Sequence, residues 1–149
     1  MANWKELKTQ APDLASVIAG LFNTKSAVLA TLRRDGSPRV SGVDLTIDDT
    51  DIWWPMGEGS VKLADVRRDP RVALHAELRP APDGPASRWD GDAKLAGRAR
   101  VVASEGDQPP RIELDIREAV WAHVDSDDRT LLVDSWIEGR GFERRIARG

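Results

Sequence analysis

IWWPMGEGSVKLADVRRDPRVALH, residues 52–75, is the stretch in which several local signals agree on one arrangement. Residues 52–54 are strand formers, and Pro55 ends the strand because proline cannot donate to a hydrogen-bond ladder. Gly57 and Gly59 follow, and glycine permits backbone angles that residues with a side chain avoid. The stretch therefore begins as a strand that runs into a turn.

A short helix is predicted directly after this turn. Ser60 is a favourable N-cap residue for a helix over residues 61–68, in which Leu63 and Val66 recur at helical spacing on one side. The Asp-Pro pair at 69–70 ends the helix, because proline disfavours helical angles in the residue before it. The whole stretch thus predicts a strand, a glycine turn, a short helix and a second strand.

The turn itself, residues 57–62 with the sequence GEGSVK, is the candidate binding feature. Free N–H groups at a helix start, the Ser60 hydroxyl and the Lys62 ammonium together favour a phosphate dianion. Neither the spacing of a P-loop nor the G-x-G-x-x-G fingerprint is present. A plain helix cap with a solvated lysine explains the same residues, and from spacing alone that alternative stays open.

Composition limits the classes of partner. The chain has 149 residues, which we interpret as a single domain over 1–149, and a net charge of −3 that provides no broad basic field for nucleic acid or an anionic membrane. Cysteine is absent, which excludes thiol nucleophiles and thiolate metal sites. The first residues resemble no secretory leader, and no stretch is long enough to span a bilayer. We expect a soluble, cytoplasmic protein.

The remaining pattern predicts a mainly β fold. An apolar stripe marks a helix over 11–22, whereas 27–32, 39–47, 71–78, 93–103 and 112–116 read as strands joined by turns. Residues 117–124 fit either a strand or a helix, and a hairpin leads to 130–136. Six to eight strands in hairpin order favour an antiparallel β-barrel with flanking helices. The arginines near the end, Arg140, Arg144, Arg145 and Arg148, read as a solvated tail.

No catalytic motif of the chain's own is evident. The two histidines, His75 and His123, are far apart in sequence, so we predict no metal site. There is no G-x-S-x-G elbow to support a hydrolase triad, and catalytic residues stay unassigned. Any redox chemistry would therefore come from a bound cofactor.

The order of these motifs resembles the pyridoxamine-5′-phosphate-oxidase-like split β-barrels, a superfamily of FMN and deazaflavin (coenzyme F-420) proteins. The resemblance lies in the turn DGSP at 35–38, the strand at 39–45, the strand at 52–55, GSVK at 59–62 and DPRVALH at 69–75. It implies a split β-barrel, a homodimer with the cofactor in a groove at its interface, a cofactor phosphate held after the third strand, and a flavin ring along the second and third strands.

Carried over by position, the resemblance assigns the phosphate to Ser60 and Lys62 and the ring to Ser41, Gly42 and Val43. It also places residues 54–57 along the groove. The residues that it implicates in cofactor binding are Gly57, Gly59, Ser60, Lys62, Ser41, Gly42, Val43, Trp54, Trp136 and Arg140. The last two match a tryptophan and arginine end segment that reaches the partner's site in the oxidases. Ser41 and Val61 stand where the oxidases carry arginines, so we do not predict vitamin B6 oxidase activity.

Three functional hypotheses follow. The first is an oxidoreductase that binds FMN or coenzyme F-420 at a homodimer interface and transfers hydride to a small organic substrate. The second is a protein that binds or stores a flavin or a haem-like ligand without turnover. The third is a structural dimer whose site has decayed. We predict no nucleic-acid or membrane partner.

Overall fold

The computed structural model describes residues 1–147, which form three α-helices, one 3-10 turn and a single antiparallel sheet of nine strands. The helices are α1 (Trp4–Gln10), α2 (Pro12–Leu21) and α3 (Val61–Arg68), and the 3-10 turn is Ala86–Arg88. The strands are β1 (Ser26–Leu32), β2 (Pro38–Asp44), β3 (Thr46–Ile47), β4 (Ile52–Pro55), β5 (Arg71–Ala76), β6 (Asp92–Val102), β7 (Arg111–Val124), β8 (Leu131–Ile137) and β9 (Gly141–Ile146). Within these residues, no helix is long and apolar enough to cross a bilayer.

The predicted mainly β, antiparallel fold with flanking helices is confirmed. Hydrogen-bonded neighbours follow the order β2-β1-β5-β6-β7-β4-β3, and β8 and β9 extend the sheet from β7. The two ends of this path, β2 and β3, are not paired with each other but are joined through Leu45. The sheet therefore curves round without a closed ladder, which is the geometry of a split barrel.

Six to eight strands were expected and the sheet has nine, and two differences account for the higher count. The strand expected over 39–47 is broken at Leu45, because β2 pairs with β1 whereas β3 pairs with β4. The backbone N–H of Leu45 instead donates to the carbonyl of Lys25 at 2.6 Å. The ninth strand is β9, which lies in the segment expected to be a tail.

The prediction of a solvated tail at the end of the chain is therefore corrected, because residues 141–146 form a strand. β8 and β9 form a hairpin in which Arg144 lies opposite Asp134 and donates two hydrogen bonds to its carboxylate, at 2.6 and 2.8 Å. Arg144 is thus a structural cation rather than part of a solvated tail, although Arg140 and Arg145 are exposed. Arg148 lies outside the described residues. The ambiguous segment 117–124 is strand, as the second half of β7.

Apolar side chains fill the barrel and the space under the helices. Leu29, Leu74, Leu95 and Ile112 face inward from four neighbouring strands, and each is at most 2% exposed. α3 contributes Leu63 and Val66, and α1 and α2 add a second group of buried residues that includes Leu7, Leu14 and Ile18. Burial of this apolar surface is the main force that holds the helices on the sheet. It also fixes which end of the barrel α3 covers.

Candidate functional site

The opening of the barrel lies between β2 and β4. β2 is paired along one edge with β1, and no described strand forms a ladder with its other edge. β4 pairs with β3 and β7, so β2 and β4 are connected only through Leu45 and the short strand β3. This free edge leaves backbone N–H and C=O groups of β2 available to a ligand.

The three candidate residues on β2 do not share a face. Ser41 and Val43 point to the inner side, where Val43 is buried and Ser41 is half-buried. Gly42 points outward, and a Cβ added there would have no atom within 4 Å. A ligand along this strand would meet side chains on one face and an open, side-chain-free surface on the other.

The start of α3 has the predicted helix cap. Ser60 has extended backbone angles (φ −69°, ψ 146°), and its hydroxyl oxygen accepts a hydrogen bond from the Leu63 N–H at 3.3 Å. The helix bounds, Val61–Arg68, are those predicted from sequence. Gly59 has φ +83°, which favours glycine, whereas Gly57 does not lie in the left-handed region. The prediction of a special backbone angle is therefore confirmed for Gly59 and wrong for Gly57.

Lys62 is a half-buried cation without a protein partner. Within residues 1–147, its ammonium group makes no hydrogen bond or ion pair. The backbone N–H groups of Val61 and Lys62 likewise bond no carbonyl of the described chain, as expected in the first turn of a helix. Two amide donors and one ammonium are thus available at the same helix end.

Beside Lys62, a buried carboxylate organises the other cations. Asp65 is 2% exposed and accepts hydrogen bonds from Thr31 Oγ1 (2.7 Å), Arg39 Nε (2.7 Å) and Arg68 Nη2 (2.9 Å). Burial alone would raise the pKa of Asp65, but these hydrogen bonds outweigh burial and hold the pKa below its ordinary value. The carboxylate is therefore ionised and links β1, β2 and α3.

Sequence reasoning missed Asp65 and Arg39. Helical spacing gives no signal for Asp65, because it lies two residues from Leu63 and one from Val66 and so falls off the apolar side of α3, although the structure buries it. Alternation along β2 does place Arg39 on the inner face with Ser41. What the sequence did not supply is the register that puts Arg39 opposite Thr31 and beneath α3.

Two tryptophans predicted at the site lie in the core instead. Trp54 is 0% exposed, and Trp136 is 1% exposed with its Nε1 donating to Gln10 Oε1 at 3.0 Å. Neither indole has a free face for a cofactor, so the expectation that Trp54 and Trp136 contact the cofactor is corrected. The neighbouring Trp53 is half-buried, and Arg111 lies over its ring at 4.3 Å from the centroid.

Arg140 is separated from the Ser60 turn by the topology. It is exposed in the turn between β8 and β9, and these strands join the sheet through β7 rather than through β2. Within one chain β2, which carries Ser41 and Val43, is linked to α3, which follows Gly59 and Ser60 and carries Lys62, through the hydrogen bond from Arg39 to Asp65. Arg140 lies on neither of these elements.

The family model described as pyridoxamine 5′-phosphate oxidase matches residues 17–141. The chain belongs to the pyridoxamine 5′-phosphate oxidase family. A search of curated protein sequences finds no match. Within the family, the matched range contains β2, β4 and α3 and so includes the whole barrel opening.

Solved structures share the fold of this family member. PhzG from Burkholderia lata, determined with tetrahydrophenazine-1-carboxylic acid, has a TM-score of 0.69 at 11% identity, over 98% of this chain and 96% of PhzG. A pyridoxamine 5′-phosphate oxidase-related, FMN-binding protein from Nostoc punctiforme has a TM-score of 0.63 at 9% identity, over 96% and 97% of the two chains. A conserved hypothetical protein from Mycobacterium tuberculosis is 25% identical, with a TM-score of 0.50 over 61% of this chain and 54% of that one.

The donor set at the opening fits the phosphate of a flavin-type cofactor. The free amides of Val61 and Lys62, the Ser60 hydroxyl and the Lys62 ammonium all belong to the start of α3, and each of these groups can donate to a phosphate oxygen. Val61 and Ser41 are uncharged, so Lys62 is the one cation among the residues to which the resemblance assigns the phosphate and the ring.

Proposed function

We propose that this protein binds FMN or the deazaflavin coenzyme F-420 through the α3 start and acts as an oxidoreductase on a small organic substrate. The observation that carries the proposal is the Ser60-capped turn, where the amides of Val61 and Lys62 and the Lys62 ammonium have no partner in the described chain. A dianion there would be stabilised by three donors and by the helix dipole. Family membership makes the phosphate of a flavin-type cofactor the favoured anion.

The free edge of β2 supports a position for the ring. Along residues 41–43, the amide and carbonyl groups that are not directed at β1 have no strand on the other side, so they can bond the polar edge of an isoalloxazine or deazaflavin. Gly42 adds a surface that no side chain covers. Ser41, Gly42 and Val43 thus keep their proposed role through the backbone, and Gly57 and Gly59 shape the turn that leads to the phosphate.

The chain supplies binding and orientation rather than acid–base chemistry. Asp65 is held by three donors, and Glu58 is paired with Arg67 at 2.9 and 3.1 Å, so neither carboxylate is poised to move a proton. When bound, a reduced flavin or deazaflavin supplies the hydride. The barrel opening would hold the substrate against the ring and limit its contact with water.

A second copy of the chain is the proposed cover for the outer face of β1, β2 and β5. Val28, Ala30, Val40, Gly42 and Ala73 lie on this face, with Val40 71% and Val28 46% exposed. His75 and Asp44 lie on the same face, beside these small and β-branched residues. An exposed apolar group of this kind favours a protein interface over solvent. Because Arg140 lies on the β8–β9 turn, away from β2 within one chain, a contact of Arg140 with the cofactor would have to be made across a homodimer.

The test is a paired titration of the purified protein with FMN and with coenzyme F-420, followed by tryptophan fluorescence. We expect saturable binding of at least one cofactor, and binding of one alone would identify it. Binding of neither would contradict the proposal and favour a decayed site.

Storage of the cofactor without turnover is the alternative function. It is favoured because neither Asp65 nor Glu58 is placed to donate a proton to a substrate. Steady oxidation of the reduced cofactor by added quinone-like or unsaturated substrates would exclude storage as the sole function. Tight binding with no such oxidation across a broad substrate set would favour storage. Haem is included in the same titration series, because preferential haem binding would favour the haem-binding alternative.

A further inference from the structure

Arg39 is a cation with hydrogen-bonding capacity to spare. It lies on the inner face of β2 opposite Thr31, and its side chain is 26% exposed. Its Nε donates to Asp65 Oδ2 at 2.7 Å, whereas its two terminal nitrogens bond nothing in the part of the chain that the structure describes. A guanidinium has five N–H donors, so four remain available.

The neighbouring Arg68 is different in this respect. Its Nη2 donates both to the Leu32 carbonyl and to Asp65 Oδ1, each at 2.9 Å, so it joins α3 to the end of β1. Arg68 therefore has a structural role that its bonds explain. Arg39 has one hydrogen bond, through Nε, that fixes its position, whereas its two terminal nitrogens have no partner in the described chain.

Arg39 is fixed on the side of α3 that carries Lys62. Residues three apart in a helix lie on the same face, so Lys62 is one turn before Asp65, the residue that holds Arg39. Ser41 is the next residue of β2 on the same inner face as Arg39. The free guanidinium nitrogens, the Lys62 ammonium and the Ser41 hydroxyl thus border one region between β2 and the start of α3.

The charges of this region favour an anion. Asp65 is paired with two cations, Arg39 and Arg68, and Lys62 makes no ion pair within residues 1–147, so positive charge remains after pairing. A half-buried excess of positive charge is stabilised by an anionic ligand with several oxygens. A guanidinium can also donate two parallel hydrogen bonds to two oxygens of one phosphate.

We propose that Arg39 is a second phosphate ligand of the cofactor, and that Asp65 positions it. This inference rests on the proposed function and assigns to Arg39 the charge that Ser41 and Val61 do not provide. In this arrangement Asp65 binds Nε and orients the plane of the guanidinium, so that the terminal nitrogens point toward the phosphate rather than into solvent.

The test compares each cofactor with a form that lacks its phosphate: FMN with riboflavin, and coenzyme F-420 with the ribityl-deazaflavin from which the phosphate and the chain beyond it have been removed. Arg39→Gln is expected to weaken binding of the phosphorylated form by about tenfold to a hundredfold, the usual effect of a lost charge-assisted hydrogen bond. Affinity for the phosphate-free form should stay within about twofold, since no interaction with a phosphate is lost. Arg129→Gln, at an exposed turn, is the control for a change of net charge.

Arg39→Lys separates charge from geometry. Lysine has one nitrogen, so it cannot bond Asp65 and a phosphate as the fork does, and we expect only partial recovery of affinity. Equal weakening of both forms by Arg39→Gln would show a structural role alone and overturn the inference. The inference would also be overturned if Arg39→Gln left the FMN affinity unchanged while Lys62→Ala abolished it. If the wild-type protein bound neither phosphorylated cofactor, the proposed function would fail first, which distinguishes the two failures.

Discussion

Arg144 on β9 holds the carboxylate of Asp134 on β8 through two hydrogen bonds, of 2.6 and 2.8 Å. The same carboxylate accepts a third bond from Nε2 of His123, at 3.0 Å, and the His123 ring stacks on Trp121 with centroids 3.5 Å apart. Asp134 is 3% exposed, so its charge depends on these partners. The pair therefore fixes the last strand to the sheet.

Loss of this pair is expected to loosen the terminal hairpin. Arg144→Gln leaves Asp134 buried with only His123 as a donor, and we expect a loss of about 1–3 kcal/mol in the free energy of unfolding. Arg145→Gln, an exposed position on the same strand, should change stability by less than about 0.5 kcal/mol. Urea denaturation measures both, and equal stability of the two variants would contradict the role given to Arg144.

Acid should weaken the protein partly through Asp134. Burial alone would raise the pKa of Asp134, but hydrogen bonds from Arg144 and His123 hold it below its ordinary value. A carboxyl with a lower pKa in the folded state binds fewer protons there, so its stabilising effect is present above about pH 4 and is lost as the pH falls through the folded-state pKa. The stability difference between the wild type and Asp134→Asn should therefore shrink between pH 6 and pH 3.

Urea titrations across that pH range measure this difference. Asp107→Asn, at an exposed residue with no hydrogen bond in the described chain, is the matched control and should keep the wild-type pH profile. A difference between wild type and Asp134→Asn that stayed constant down to pH 3 would argue against the ion pair as the acid-sensitive group.

Gly97 is required at the bulge between β6 and β7. A Cβ at this position would lie 1.9 Å from the carbonyl oxygen of Asp115, and the pairing shifts register between Ala96 and Gly97. Gly97→Ala is expected to destabilise the protein by about 1–3 kcal/mol or to prevent folding. Gly20→Ala, at a helical position where a Cβ meets nothing within 4 Å, should be neutral or stabilising by up to about 1 kcal/mol. Thermal unfolding compares the two, and a stable Gly97→Ala protein would contradict this register.

The outer face of β1, β2 and β5 is expected to mediate dimerisation. Val40→Asp places a charge at its most exposed apolar residue and should shift the mass measured by light scattering from two chains to one. Ile146→Asp, 64% exposed on β9, is the matched control and should leave the dimer intact. A dimer that survives Val40→Asp but not Ile146→Asp would place the interface on the terminal hairpin instead.

Features with a local cause could be predicted from the sequence. The cap at Ser60 and the end at Asp69-Pro70 are set by neighbours within one turn, and helix α3 has the predicted bounds. The antiparallel order could likewise be inferred from short turns between strands. A phosphate site at the Ser60 turn could be hypothesised from sequence because its residue types are themselves hydrogen-bond donors, and it stays a prediction.

Features that depend on distant partners could not be predicted. β9 forms because Arg144 meets Asp134 across a hairpin, and β2 ends where its partner changes at Leu45. Adjacent tryptophans at 53 and 54 point to opposite faces, and only the register shows that Trp54 is the buried one. The sequence gives no role to Arg39 for the same reason, because Asp65, which binds it, is 26 residues away on helix α3.

The most direct test of the account is the affinity of Lys62→Ala for FMN and coenzyme F-420, measured by equilibrium dialysis against the wild type and against Lys5→Ala, an exposed lysine on α1. The account predicts that Lys62→Ala keeps the wild-type melting temperature and binds the cofactor at least about tenfold more weakly, whereas Lys5→Ala binds normally. Cofactor affinity of Lys62→Ala within twofold of the wild type would contradict the phosphate site at α3.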